Sequence, residues 1–101
     1  MLADGLPVSS CTTLAVDIDG KSITTIEGLA KDGKLSRVQQ AFVDHAAMQC
    51  GFCTSGMVLA TTALLEQKPS ASEEEIRHFL RGNICRCTGY IKILEAVKSL
   101  V

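Results

Sequence analysis

Four of the five cysteines in this sequence fall into two tight pairs, Cys50-Gly51-Phe52-Cys53 and Cys85-Arg86-Cys87, and no other feature restricts the fold as much. Five cysteines scattered at random over 101 residues would seldom fall this way. A C-x-x-C and a C-x-C together make a four-thiolate metal site, so the fold must present two short loops to one another. Cys50 with Cys53 could instead form a dithiol switch, a reading that leaves the second pair without a role.

Four thiolates suit tetrahedral zinc, and they equally suit a [2Fe-2S] cluster in which each iron takes two cysteines. Spacing alone does not separate the two. Their surroundings share one plan: Cys53-Thr54-Ser55-Gly56-Met57-Val58 and Cys87-Thr88-Gly89-Tyr90-Ile91 each run from a cysteine through a threonine able to cap, then a glycine, into an apolar helical face. Both pairs are therefore expected at helix N-termini. A [2Fe-2S] cluster on four thiolates is an anion that becomes more negative on reduction, and unpaired N–H groups at a helix start favour it. Gly51, Gly56 and Gly89 would let backbone amides approach sulfur, or serve as ordinary turn and helix-start glycines.

At 47% hydrophobic residues the chain can bury the modest core of one small domain, and a domain of this size gains from a metal centre. A formal net charge of -1 gives no reason to expect nucleic acid or an anionic membrane as partner. No apolar run is long enough to span a bilayer, and the first residues lack the pattern of a secretory signal. Clustered thiols read as metal ligands in a reducing compartment, so a cytoplasmic site of action is expected.

Residues 1–26 read as a β fragment. Asp4-Gly5 is a turn, 7–10 and 13–17 look extended, and Asp19-Gly20 is a hairpin signal after which 22–25 could pair back. Such a fragment has too few strands for its own sheet. Lys31-Asp32-Gly33-Lys34 reads as a linker, and the rest is helical. A first helix is expected over about 36–48 with Ser36 as cap and Leu35, Val38, Phe42, His45 and Ala46 at helical spacing. A second runs from about 54 to 67, with Met57, Ala60, Thr61, Leu64 and Leu65 inward, ending before Pro69. Ser72-Glu73-Glu74-Glu75 is a capping box that opens a third, to about Arg81, with Ile76, Phe79 and Leu80 buried. The fourth spans about 88–100 through Ile91, Leu94 and Val97. Helix, cysteine pair, helix occurs twice, an internal echo compatible with an approximate two-fold axis near the metal.

At the cysteines the sequence also becomes recognisable. Gln49-Cys50-Gly51-Phe52-Cys53-Thr54, followed by Gly82-Asn83-Ile84-Cys85-Arg86-Cys87-Thr88-Gly89-Tyr90, strongly resembles the iron-sulfur component of the molybdenum hydroxylases, the xanthine oxidase and aldehyde oxidoreductase family. The resemblance covers nearly the whole chain, including 23–29 and 36–45. It implies a mainly α fold: a four-helix bundle with pseudo-two-fold symmetry around a [2Fe-2S] cluster held by Cys50, Cys53, Cys85 and Cys87, preceded by a β-hairpin remnant. Residues 1–30 would be the end of a plant-type ferredoxin-like domain, 31–35 a linker and 36–101 the cluster domain. Cys11 would be an orphan fourth ligand of a second [2Fe-2S] site whose other three ligands are absent here; a ligand completed by a separate chain and a structural cysteine are the alternatives. Gln49 would contact the pterin of a molybdopterin cofactor in a large subunit, with Cys87 as the cluster ligand nearest that pterin. Electrons would pass on to an FAD-binding subunit or another acceptor. Family members commonly carry proline where Ser55 stands, which puts the rigidity of that turn in question and leaves ligation untouched.

The remaining residues read plainly. His45 and His78 lie outside the pairs and suit packing or the surface better than ligation. Arg81 and Arg86 could stabilise an anionic cluster or hold a carboxylate of a partner, or be solvated. Glu73, Glu74 and Glu75 suit a helix start. Phe52 and Tyr90 are expected to exclude water from the ligands or to meet a partner, and Met48 and Met57 are expected as filler. With no nucleophile and base, no paired carboxylates and no phosphate loop, the chain carries no catalytic constellation and reads as an electron carrier; a zinc-bound structural module and a thiol switch are the rival readings.

Overall fold

Helix formation in this chain starts twice from the same signal, a serine followed three residues later by a side chain that reaches back. In the computed structural model, which describes residues 1–101, Ser36 Oγ accepts from the Gln39 N–H at 3.2 Å and Gln39 Oε1 accepts from the Ser36 N–H at 2.8 Å. Helix α1 (Arg37–Asp44) follows. The same reciprocal pair recurs between Ser72 and Glu75, at 3.3 and 2.9 Å, and opens α3 (Glu73–Leu80). Each box satisfies two of the N–H groups that a helix start leaves without partners. Behind each box comes a cysteine loop and then a second helix, α2 (Thr54–Gln67) or α4 (Ile91–Lys98). The helices pack in a closed ring, α1 on α2, α2 on α3, α3 on α4 and α4 on α1. That ring is the structural form of the internal echo.

The core lies inside the ring. Phe42, Met57, Leu64, Ile76, Ile93 and Val97 are all fully buried. Helix α2 is buried almost all round, from Met57 through Leu64, because it is also covered by the N-terminal segment, where Leu2 packs with Leu59 and Ala63. Leu94 and Val97 face inward as expected. Ile91, at the cysteine end of α4, is 65% exposed, and Ile93 and Ala96 complete the buried stripe instead. Leu35 and Ala46, which share the helical spacing of Val38 and Phe42, are exposed.

Two helices are shorter than their apolar periodicity suggests. Helix α1 stops at Asp44 because Ala46 turns to φ 49°, the Ala47 N–H reaches back to the Phe42 carbonyl at 2.9 Å and the Ala46 N–H to Val43 at 3.0 Å. This is the left-handed termination that glycine usually marks, so a sequence with alanine there carries no stop signal. Helix α4 begins only at Ile91, since Gly89 and Tyr90 have φ of 60° and 66°.

The N-terminal fragment pairs differently from the expectation. Strands β1 (Leu2–Ala3) and β2 (Leu6–Pro7) form a hairpin about Asp4-Gly5, both at positive φ, as a tight hairpin turn requires. Residues 13–17 are not a strand: Ala15–Ile18 is a 3₁₀ turn, and Asp19-Gly20 joins no hairpin. Strand β3 (Ile23–Thr24) pairs with β1 instead, in the order β2-β1-β3. The cause is local. Asp4 holds Ser22 twice, its N–H donating to the Ser22 carbonyl at 2.8 Å and its Oδ1 accepting from the Ser22 N–H at 2.9 Å. No helix of the chain is long and apolar enough to cross a membrane.

Candidate metal centre

Because α1 ends early, residues 45–53 are free to form the first cysteine loop. Gly51, at φ 83°, makes the turn between the two cysteines, a conformation that glycine adopts without strain. The Thr54 N–H closes it on the Gly51 carbonyl at 3.1 Å. Cys53 is the N-cap residue of α2, its carbonyl taking the Met57 N–H at 3.0 Å, with no side-chain cap. The cap that Thr54 was able to supply is not made; Thr54 Oγ1 is instead buried without a protein partner.

The second loop leaves α3 through Gly82, with the Asn83 N–H on the Leu80 carbonyl at 2.9 Å. It then folds on itself. The Cys85 N–H donates to the Tyr90 hydroxyl at 2.9 Å, Cys85 Sγ lies 3.1 Å from Thr88 Oγ1 and accepts the Thr88 N–H at 3.5 Å, and the Tyr90 N–H donates to Thr88 Oγ1 at 3.2 Å. The two loops meet at Gly56, where a Cβ would stand 3.0 Å from Asn83 Oδ1. An unbranched backbone at the first turn of α2 thus lets the Asn83 side chain approach.

The sulfurs meet across the loops rather than within them. Cys50 Sγ and Cys87 Sγ are 3.5 Å apart and both residues are exposed. The half-buried Cys53 and the buried Cys85 form the second, inner pair, and each shifts the other's titration. No three histidine, cysteine or carboxylate side chains converge as the ligands of one ion would. The electrostatics follow the same division. Burial, and then the neighbouring Cys85, push the Cys53 thiol up to about 11. The Thr88 hydroxyl and N–H bring Cys85 down to about 7. The Phe52 N–H, and then Cys87, lower Cys50, while the bond to Cys50 raises Cys87. Four thiols in two cross-loop pairs, beside a buried hydroxyl without a partner and two helix starts, fit a [2Fe-2S] cluster, which takes two thiolates on each iron.

Other residues singled out in the sequence lie where their plainer readings put them, with exceptions. Gln49 is exposed directly before Cys50. His45 is half-buried, and the exposed His78 has Nδ1 at 3.5 Å from an Arg81 guanidinium nitrogen. Glu73 bonds Arg77 and Lys98, tying α3 to α4, and Glu75 serves its capping box. Met57 fills the core, but Met48 is exposed. Phe52 covers nothing in this chain, being 94% exposed. Cys11 sits exposed in the 3₁₀ turn Ser10–Thr12, on a cleft of about 370 Å³ whose far wall includes Gly56 and Asn83, and none of the four paired cysteines lines that cleft. Sequence reasoning did not single out Thr88 and Tyr90 as the residues that shape the Cys85 loop. The available signal was a hydroxyl residue three positions after a cysteine, followed by glycine.

Residues 25–98 match the family described as [2Fe-2S] binding domain. The chain is 55% identical over 97 residues to the nicotine 6-hydroxylase small subunit of Paenarthrobacter nicotinovorans, covering 96% of this chain and 58% of that protein. It is 52% identical over 100 residues to the xanthine dehydrogenase iron-sulfur-binding subunit of Escherichia coli O157:H7, covering 96% and 62%. Among solved structures, quinoline 2-oxidoreductase from Pseudomonas putida 86 superposes with a TM-score of 0.91 at 48% identity, over 95% of this chain and 59% of that one. The chain therefore spans about three fifths of the length of these relatives. The family match runs through both cysteine loops and all four helices, and the chain belongs to the [2Fe-2S] binding domain family.

Proposed function

We propose that this chain is the electron-transfer iron-sulfur component of a molybdopterin-dependent hydroxylase or dehydrogenase. The observation that carries the reading is the cross-loop pairing of the sulfurs, Cys50 with Cys87 at 3.5 Å and Cys53 with Cys85. In this reading Cys50 and Cys87 would hold one iron and Cys53 and Cys85 the other. When bound, the cluster supplies a one-electron couple. The chain's own part is to hold the four thiolates, to aim two helix starts at them and to keep the inner pair away from water.

Partners follow from the surface around the outer pair. Phe52, Ile84 and Ile91 are 94%, 82% and 65% exposed, an apolar rim that a large molybdopterin-binding subunit would cover. Gln49 and Cys87, both exposed there, face the pterin in this reading. Cys11 is an orphan ligand of a second [2Fe-2S] site, within 1–30 as the remnant of a ferredoxin-like domain, joined by 31–35 to the cluster domain 36–101. The cleft that separates Cys11 from Gly56 and Asn83 is the side from which electrons leave, toward an FAD-binding subunit or another acceptor. The clustered free thiols fit a cytoplasmic site of action.

Iron, sulfide and zinc analysis of the anaerobically purified chain, with visible absorption and EPR after dithionite, tests this. About two irons and two sulfides per chain with one reduced signal are expected. About four of each would mean that another chain completes a site at Cys11. One zinc without colour, reproduced when partners are present, would overturn the reading in favour of a structural module.

A further inference from the structure

Of the four sulfurs, only that of Cys85 meets a hydroxyl. Thr88 Oγ1 is 3.1 Å from it and the Thr88 N–H donates to it at 3.5 Å, so one residue addresses the sulfur twice. The hydroxyl is itself held. The Tyr90 N–H donates into Thr88 Oγ1 at 3.2 Å, and the Tyr90 hydroxyl takes the Cys85 N–H at 2.9 Å, which closes residues 85–90 into a hydrogen-bonded ring. Tyr90 adopts φ 66° to do so, a conformation unfavourable for a bulky residue, and the ring's hydrogen bonds hold it there.

In a free thiol either atom of the Thr88–Cys85 contact could donate. A sulfur bound to iron carries no proton, so the hydrogen must then come from Thr88. Adding one electron makes the ligand sulfurs more negative, and a donor aimed at one of them stabilises the reduced form more than the oxidised.

We infer that Thr88 is a positioning residue that raises the reduction potential of the centre by donating both its hydroxyl and its N–H to Cys85 Sγ. The inference rests on the four-cysteine reading above. The electron comes from an external reductant, no bond is made or broken at Thr88, and no proton leaves it.

EPR-monitored redox titration of the iron-loaded full chain tests it, with dithionite as reductant. Thr88→Val keeps the shape and removes the hydroxyl; it is expected to shift the midpoint to more negative potential with iron and sulfide content unchanged. Thr88→Ser restores the donor and is expected to return the midpoint to the wild-type value. An unshifted midpoint in Thr88→Val, or an equal shift in Thr88→Ser, would overturn the proposal. Should Thr88→Val take up no iron, Thr88→Ala makes the same comparison with less bulk. If neither loads while Thr88→Ser does, the hydroxyl is needed to build the loop and the tuning role is lost. A wild-type chain without an iron signal would instead defeat the cluster reading itself, so the two failures are distinguishable.

Discussion

At the scale of single residues, Cys85 and Cys11 make opposite demands. Cys85 is buried, bonded to Thr88 and paired with Cys53, so its sulfur has no substitute nearby. Cys85→Ser is expected to abolish the cluster, read as loss of the visible bands and of the reduced EPR signal. Retention of a normal spectrum would remove Cys85 from the ligand set. Cys11 is exposed in its own turn, on a cleft that none of the paired cysteines lines, and Cys11→Ser in this chain is expected to leave the same spectrum unchanged. The paired cysteines are legible in the sequence because ligand spacing is a local property. The Thr88 and Tyr90 roles are not, since they depend on a ring that closes only when Tyr90 takes a left-handed conformation.

At the scale of elements, the capping boxes decide where the helices begin. Ser72→Ala removes the acceptor of the Glu75 N–H and is expected to destabilise the loaded chain by about 1 kcal/mol, measured by urea unfolding. Glu75 adds a pH dependence of known sign. The Lys68 ammonium, and then the Ser72 N–H, hold its carboxyl at about 2, below its ordinary value. A depressed carboxylate contributes stability that is fully present above the unfolded value and is lost as pH falls through the folded one. The stability difference between wild type and Glu75→Gln should therefore shrink as pH is lowered from about 5 toward 2, and a difference constant over that window would remove this linkage. The start of α3 could be read directly as a capping box and that of α1 as a capping serine, because such signals act within one turn, while the reaching Gln39 emerged only in the structure. The end of α1 could not, because alanine occupies the position that glycine would have signalled.

At the scale of the whole molecule, the two halves of the ring meet at the paired sulfurs, and metal binding should be part of folding. In the proposed reading, ligands on the loops before α2 and α4 would tie together two halves that also pack α2 on α3 and α4 on α1. Binding free energy at such a site adds to folding free energy. Removing iron anaerobically with a chelator is expected to lower the thermal midpoint of the chain and broaden its near-UV spectrum, while the helical content of the Phe42, Met57 and Ile76 core persists. Equal midpoints with and without iron would show that the bundle is independent of its metal.

The sequence alone determined the two cysteine pairs, the four helices and the two serine caps, because each depends on side chains within a few positions of one another. Tertiary structure decided which sulfur faces which, since Cys50 meets Cys87 only after the ring of helices closes. It also decided the partner of β3. The tendency of residues 13–17 to extend is weak, and two bonds between Asp4 and Ser22, one backbone to backbone and one from the Ser22 N–H to the Asp4 carboxylate, outweigh it by delivering Ile23 and Thr24 to β1. Pairing across long sequence separation is settled by the geometry that brings the partners together, and no local signal carries that information.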